Sequence, residues 1–143
     1  MATERRADVT WKGSLMDGSG RIDSSTSGKL DGFDIDWRAR SGEAGGKTSP
    51  EDLIAAAHAS CFAMALSNGL AQAGTPPDEL HTSATVTFQP GEGITRIQLT
   101  VEGKVPGLDD AGFQQAAQTA KENCPVSKAL AGVPEITLQA SLA

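Results

Sequence analysis

The sequence predicts an α+β fold with the element order βββ-α-ββ-αα-β. Several stretches alternate apolar and polar residues with the period of two that a strand with one wet face requires. One long apolar segment opens on a helix-start signal. The chain has no Gly-rich phosphate loop, internal repeat or low-complexity segment that would suggest another architecture. Its 143 residues suit a single domain spanning 1–143 with a real core.

The first strand is expected at residues 8–15, with Val9, Trp11 and Leu15 on one face and Thr10, Lys12 and Ser14 on the other. Asp17-Gly18-Ser19-Gly20 is a turn signal, followed by a short second strand at Arg21 to Ser24. Phe33, Ile35 and Trp37 alternate with Asp34, Asp36 and Arg38, which predicts a third strand. A loop with Gly42, Gly45 and Gly46 leads to the strongest local signal. Ser49 is an N-cap, Pro50 suits the first helical position, and the Asp52 carboxylate can reach back to the cap. From Leu53 to Leu66 almost every residue is apolar or small, so this helix is expected to be buried nearly all round, by sheets and a partner chain. Gly74-Thr75-Pro76-Pro77 ends it near Ala73.

Ala84, Val86 and Phe88, the Gly91-Glu92-Gly93 turn, then Ile97, Leu99, Val101 and Val105 read as a hairpin. Asp109 is an N-cap for a helix whose Phe113, Ala116, Ala117 and Ala120 share a face and which stops near Asn123. Cys124-Pro125 opens a shorter helix through Val126, Ala129 and Leu130, closed by Gly132. Ile136, Leu138, Ala140 and Leu142 form the last strand.

Composition narrows the function. A net charge of −6 and a pI near 4.8 argue against a nucleic-acid partner, which calls for a basic face. No unbroken apolar run approaches the ~20 residues of a membrane span. The segment from Met1 to Trp11 holds Glu4, Arg5, Arg6 and Asp8 and reads as no secretory signal, so a cytoplasmic location is expected. With no tyrosine and two histidines, the chemistry-bearing residues are few. Cys61 and His58 are neighbours on one helix face, and Cys124 stands at a helix start, where unpaired N–H groups and the helix dipole lower a thiol's pKa. Both cysteines also have the bland reading of small buried hydrophobes. His58 reads as a packed, hydrogen-bonded core histidine. Cys61, Cys124, His58 and His81 lack the local spacing of a structural zinc site, and no C-x-x-C is present.

The segment Thr48-Ser49-Pro50-Glu51-Asp52-Leu53-Ile54-Ala55-Ala56-Ala57-His58-Ala59-Ser60-Cys61-Phe62-Ala63-Met64-Ala65-Leu66-Ser67 resembles the central helix of the OsmC/Ohr family, the osmotically inducible protein C and organic hydroperoxide resistance group. Glu122-Asn123-Cys124-Pro125-Val126-Ser127-Lys128-Ala129-Leu130 is similar to that family's second cysteine motif, and both runs look like the OsmC branch. The resemblance implies an antioxidant thiol peroxidase. Cys61 would attack the peroxide and become a sulfenic acid, Cys124 would condense with it to a disulfide, and an external dithiol of the lipoyl type would restore both. No bound cofactor or metal is implied. The resemblance places the activating arginine before the loop that leads to the Ser-Pro-Glu helix start. Arg40 fits best, Arg38 shares its face by strand parity, and Arg21 follows a glycine as in the Ohr branch. Glu51 matches the glutamate that orients this arginine, although the helix dipole alone also favours an acid there. The N-cap position favours Cys124 as the more acidic thiol, whereas the family assigns attack to Cys61.

Glu51 and Cys61 are ten residues apart on one helix, about 15 Å along its axis. A second copy running antiparallel across a two-fold axis could bring one chain's Glu51 to the other's Cys61, so a homodimer with composite sites is expected. The apolar residues Phe62, Met64 and Leu66 suggest a preference for alkyl hydroperoxides. Two other classes stay open: a dimeric module that binds an apolar ligand against Phe62 and Met64, and a general thiol–disulfide oxidoreductase.

Overall fold

The computed structural model describes residues 1–143, which form two compact units, Met1–Leu53 and Ile54–Ala143. The fold class is α+β as expected, with one extra short helix. In chain order the elements are β1 (Ala7–Lys12), β2 (Ser19–Ser25), β3 (Asp34–Ile35), α1 (Trp37–Ser41), α2 (Pro50–Gln72), β4 (Glu79–Gln89), β5 (Gly93–Lys104), α3 (Asp110–Asn123), α4 (Pro125–Ala129) and β6 (Glu135–Leu142).

In the first unit, β1, β2 and β3 form an antiparallel sheet in sequence order. Val9 pairs with Ile22 beside a register shift between Asp8 and Val9, and Ile22 is buried. Gly20 lies opposite Trp11, and a Cβ there would stand 2.6 Å from the indole ring, so only glycine lets the ring lie across the strand. The first strand ends earlier than its alternation suggests. Gly13 turns the chain at φ +90° after Lys12, and Leu15 lies beyond it, exposed.

The expected third strand is largely a helix. β3 has two residues, and the Asp36 carboxylate then accepts the Ala39 N–H at 2.7 Å, capping α1. An aspartate that satisfies a helix's orphan donor outweighs three positions of alternation. Arg38 and Arg40 therefore do not share a strand face, because residues two apart on a helix point to nearly opposite sides.

In the second unit, β4 and β5 form an antiparallel hairpin around the Gly91-Glu92 turn, and β6 adds parallel to β5. A parallel neighbour requires a crossover, and α3 and α4 supply it between β5 and β6. Along β5, Ile97, Leu99 and Val101 are buried at period two. They pack in one core with Phe62, Leu66 and Leu70 of α2, Phe113, Ala117 and Ala120 of α3, and Cys124. The Asp109 carboxylate accepts the Gly112 N–H at 2.8 Å and caps α3, as its sequence predicts.

At the start of α2, the Ser49 hydroxyl accepts the Asp52 N–H at 3.1 Å, which matches the expected cap. Asp52 does not reach back to Ser49; its carboxylate accepts the Thr48 hydroxyl at 2.8 Å. Within one chain the helix is buried along one stripe. His58, Phe62, Leu66 and Leu70 form a buried stripe at four-residue spacing, while Ala56, Ala57 and Met64 are exposed, Met64 by 70%. A sheet and one flanking helix cover one side of a cylinder, whatever the composition of its other side. By length and composition alone α2 could cross a membrane, with a mean hydropathy of 1.4 over an 18-residue window, but polar residues interrupt its apolar run and its stripe packs into the core described above.

Candidate active site

Two helix ends meet at the thiols. Cys124 closes α3, donating its N–H to the Ala120 carbonyl at 2.9 Å, and it opens α4, whose Lys128 N–H donates to the Cys124 carbonyl at 3.0 Å. Pro125 takes the first position of α4, where its missing N–H costs nothing. The Cys124 side chain makes no conventional cap, and its sulfur stands at the start of α4. Cys61, from the middle of α2, faces the same point, and the two thiols interact with each other. Both cysteines are free.

The sulfurs differ in environment. Burial pushes the Cys61 thiol above its ordinary pKa, the adjoining Cys124 thiol pushes the same way, and the Val126 N–H acts against them. Burial also opposes ionisation of Cys124. The Cys61 thiol, the Ser127 N–H and hydroxyl, and the Val126 N–H together outweigh it and hold the Cys124 pKa below its ordinary value. The helix-start argument for an acidic Cys124 therefore has a structural basis. Access runs the other way. Cys124 is fully buried, whereas Cys61 is half-buried and lines a cavity of about 810 Å³ with Met64, Ala65, Asn68, Ala116 and Pro125.

Phe62 and Leu66, the apolar residues that the sequence sets beside Cys61, lie in the core and do not line this cavity. Helical geometry turns them toward β5, and of the three only Met64 borders the opening. That also removes Phe62 from any ligand surface. His58 is fully buried, with Nε2 at 2.7 Å from the Ser127 hydroxyl, in keeping with a packed, hydrogen-bonded residue. Sequence reasoning passed over Ser127, although a polar residue three positions after Cys124, in the first turn of α4, is a signal for contact with a group at the helix start.

In the first unit, Arg40 grips Glu51 with two donors. Arg40 Nε stands 3.0 Å and 3.2 Å from the two carboxylate oxygens, and a terminal guanidinium nitrogen stands 3.0 Å from Oε2. Glu51 is 7% exposed and keeps this contact beneath the surface. Arg21 and Arg38 are exposed. Arg40 also borders an apolar cavity of about 390 Å³ with Trp11, Leu15, Trp37 and Pro50. The structure thus joins Arg40 to Glu51 in one unit and Cys61 to Cys124 in the other.

Comparison with known proteins adds to this geometry. Residues 42–139 match the family described as OsmC-like protein. The chain is 40% identical to Peroxiredoxin OsmC of Escherichia coli (strain K12) over 146 aligned positions, 99% of each chain. It is 35% identical over 107 positions to the Organic hydroperoxide resistance protein of Xanthomonas axonopodis pv. citri (strain 306), covering 71% of this chain and 72% of that one. Among solved structures, the organic hydroperoxide resistance protein OhrB of Bacillus subtilis is similar with a TM-score of 0.64 and 30% identity, covering 96% of this chain and 98% of that one. With its cysteine motifs in α2 and at the start of α4, a family match over residues 42–139 and a relative 40% identical over 99% of each chain, the chain belongs to the OsmC family.

Proposed function

We propose that this protein is a thiol peroxidase that reduces organic hydroperoxides to alcohols, with Cys61 as the attacking thiol and Cys124 as the resolving one. The observation that carries the reading is the pairing of an accessible thiol with a fully buried one at a helix start. A peroxide must reach sulfur before acidity matters, so access assigns the first step to Cys61. Its thiolate takes the distal peroxide oxygen; the O–O bond breaks, the alkoxide leaves and is protonated to the alcohol, and Cys61 becomes a sulfenic acid. Cys124 then displaces hydroxide from that sulfur, and the disulfide forms. An external dithiol reduces it through a mixed disulfide and becomes a disulfide itself. The names of the relatives, a peroxiredoxin and organic hydroperoxide resistance proteins, support the substrate class.

Arg40 and Glu51 complete the site from a second copy of the chain in this reading. A raised Cys61 pKa needs an opposite charge nearby, and Arg40, already oriented by Glu51, has one to offer. Ten residues of helix put Glu51 about 15 Å from Cys61 along α2, which favours a facing α2 over the same one. The apolar positions that α2 leaves exposed give that second copy a surface to cover.

Intact-mass measurement after one equivalent of cumene hydroperoxide tests the reading. The chain should lose the mass of two hydrogen atoms in the wild type. In Cys124→Ser it should gain one oxygen, labelled by a sulfenic-acid probe at Cys61, and in Cys61→Ser it should not change. Labelling of Cys124 in Cys61→Ser would reverse the two roles, and an unchanged wild-type mass would remove the peroxidase reading.

A further inference from the structure

His58 is a buried titratable group that the proposed chemistry leaves unused, and its surroundings give it a specific task. Its ring is fully buried, Nε2 meets the Ser127 hydroxyl at 2.7 Å, and Nδ1 is buried with no hydrogen-bond partner. A neutral imidazole carries one N–H, on either nitrogen. With the proton on Nδ1, a buried N–H donor would be orphaned; with the proton on Nε2, only a lone pair is. Buried donors without partners are the rarer and costlier case, so the proton sits on Nε2 and is donated to Ser127. The Ser127 oxygen thereby spends its acceptor side on His58, and its own single proton is left to donate elsewhere. Ser127 sits three positions after Cys124 in the first turn of α4, where its hydroxyl and N–H favour the ionised Cys124 sulfur, and Ser127 is only 8% exposed, which keeps water from taking that proton.

We propose that His58 is a positioning residue for the resolving step: through Nε2–H it holds the Ser127 hydroxyl as a donor aimed at the Cys124 sulfur. This rests on the reading of Cys124 as the resolving thiol. Cys124 gives its proton to the medium and its thiolate attacks the Cys61 sulfur of the sulfenic acid. The S–S bond forms, the S–O bond breaks, and hydroxide leaves and takes up one proton as water. Cys124 is oxidised and the sulfenic sulfur reduced. The Ser127 hydrogen bond stabilises the Cys124 thiolate before attack, and again when that thiolate is expelled during reduction by dithiol. Burial lowers the His58 pKa and so favours its neutral form. The titratable groups around Cys124 are Cys61, which adjoins it, and His58, which is linked to it through Ser127, both from α2. Glu122 and Lys128, adjoining it on α3 and α4, are exposed, Lys121 on α3 is half-buried, and β5 offers the core the apolar Ile94, Ile97, Leu99 and Val101.

The test is a single turnover of the full chain with one equivalent of cumene hydroperoxide, following decay of the Cys61 sulfenic acid to disulfide across a range of pH. Ser127→Ala should slow that decay about tenfold at neutral pH and move its pH midpoint up by about one unit, the loss of one hydrogen bond to a thiolate. His58→Leu should shift the midpoint in the same direction. His58→Gln, whose amide NH2 can donate to Ser127 but does not titrate, should restore it to near the wild-type value. Ser127→Ala with His58→Leu should be no slower than Ser127→Ala alone. The proposal is overturned if the midpoint is unmoved in Ser127→Ala, a mild change that decides the matter even where the leucine variant does not fold. It is also overturned if glutamine and leucine at position 58 behave alike. A wild-type chain that never forms a sulfenic acid at Cys61 would overturn the peroxidase reading itself, and the positioning role with it, so the two failures are told apart by whether the first step occurs.

Discussion

At His58 a buried ring makes stability depend on pH in a defined direction. Burial lowers its pKa from the ordinary 6.5, so the folded chain holds the ring neutral while the unfolded chain protonates it near that value. As pH falls below about 6.5, the unfolded state binds a proton that the native state does not, and stability drops. Above about 6.5 both states are neutral and this contribution is fully present. Urea unfolding at pH 7.5 and at pH 5.5 (about one unit either side of 6.5) should show the wild type losing stability on acidification. His58→Gln should lose clearly less over the same interval, because glutamine does not titrate. Equal losses would mean that carboxylates elsewhere account for the acid sensitivity. The His58 tautomer is likewise set by its own two neighbourhoods, one per ring nitrogen. Position 58 in the sequence is a histidine on an apolar helix, and nothing in the local pattern says which nitrogen has a partner.

α3 and β5 meet at a glycine. Gly103 lies on β5 opposite Leu80, and a Cβ there would stand 2.7 Å from the Phe113 ring and 3.1 Å from Leu80. Phe113 is fully buried among Leu99, Val101 and Ala117, so its ring has nowhere to retreat. Gly103→Ala should therefore destabilise the chain by about 1–3 kcal/mol, the usual cost of overpacking, although alanine suits a strand better than glycine. Chemical denaturation measures it, and Phe113→Leu combined with Gly103→Ala should recover part of the loss. A neutral Gly103→Ala would show that the helix can shift by a few tenths of an ångström. The elements themselves were legible where their signals are local: the caps at Ser49 and Asp109 and the alternation of β5 needed only a few neighbouring residues. Along the sequence α1 reads as strand, because three alternating positions fit either structure until the Asp36 side chain finds the Ala39 N–H.

For the whole molecule, the proposed composite site makes a demand that a self-contained site does not. Arg40 and Glu51 would serve the Cys61 of a second chain, so a heterodimer of Cys61→Ala and Arg40→Ala chains would hold one intact set and one set with both lesions. Such a heterodimer should recover about half of wild-type peroxidase activity, as two-fold symmetry with one repaired site requires. Each homodimer should be nearly inactive, and the Arg40→Ala homodimer should show a Cys61 pKa higher still, read from the pH dependence of alkylation. If every chain builds its own site, the heterodimer stays inactive while folded. Full activity of the Arg40→Ala homodimer would instead dismiss the arginine.

The α+β class, the order of the long elements and the two cysteine motifs, and through them the family, are carried by local signals. Caps, turn residues and periodicity act within one helical turn or a few strand positions, so they can be read along the chain. Tertiary structure alone decided which stripe of α2 is buried, that Arg40 holds Glu51, and that Cys61 opens to a cavity while Cys124 does not. It alone also brought His58 to Ser127 across 69 positions of sequence. Packing fixes these, because a helix apolar on every side carries no record of which side the sheet will cover. A thiol's acidity and reach depend on neighbours that arrive only when distant segments fold together.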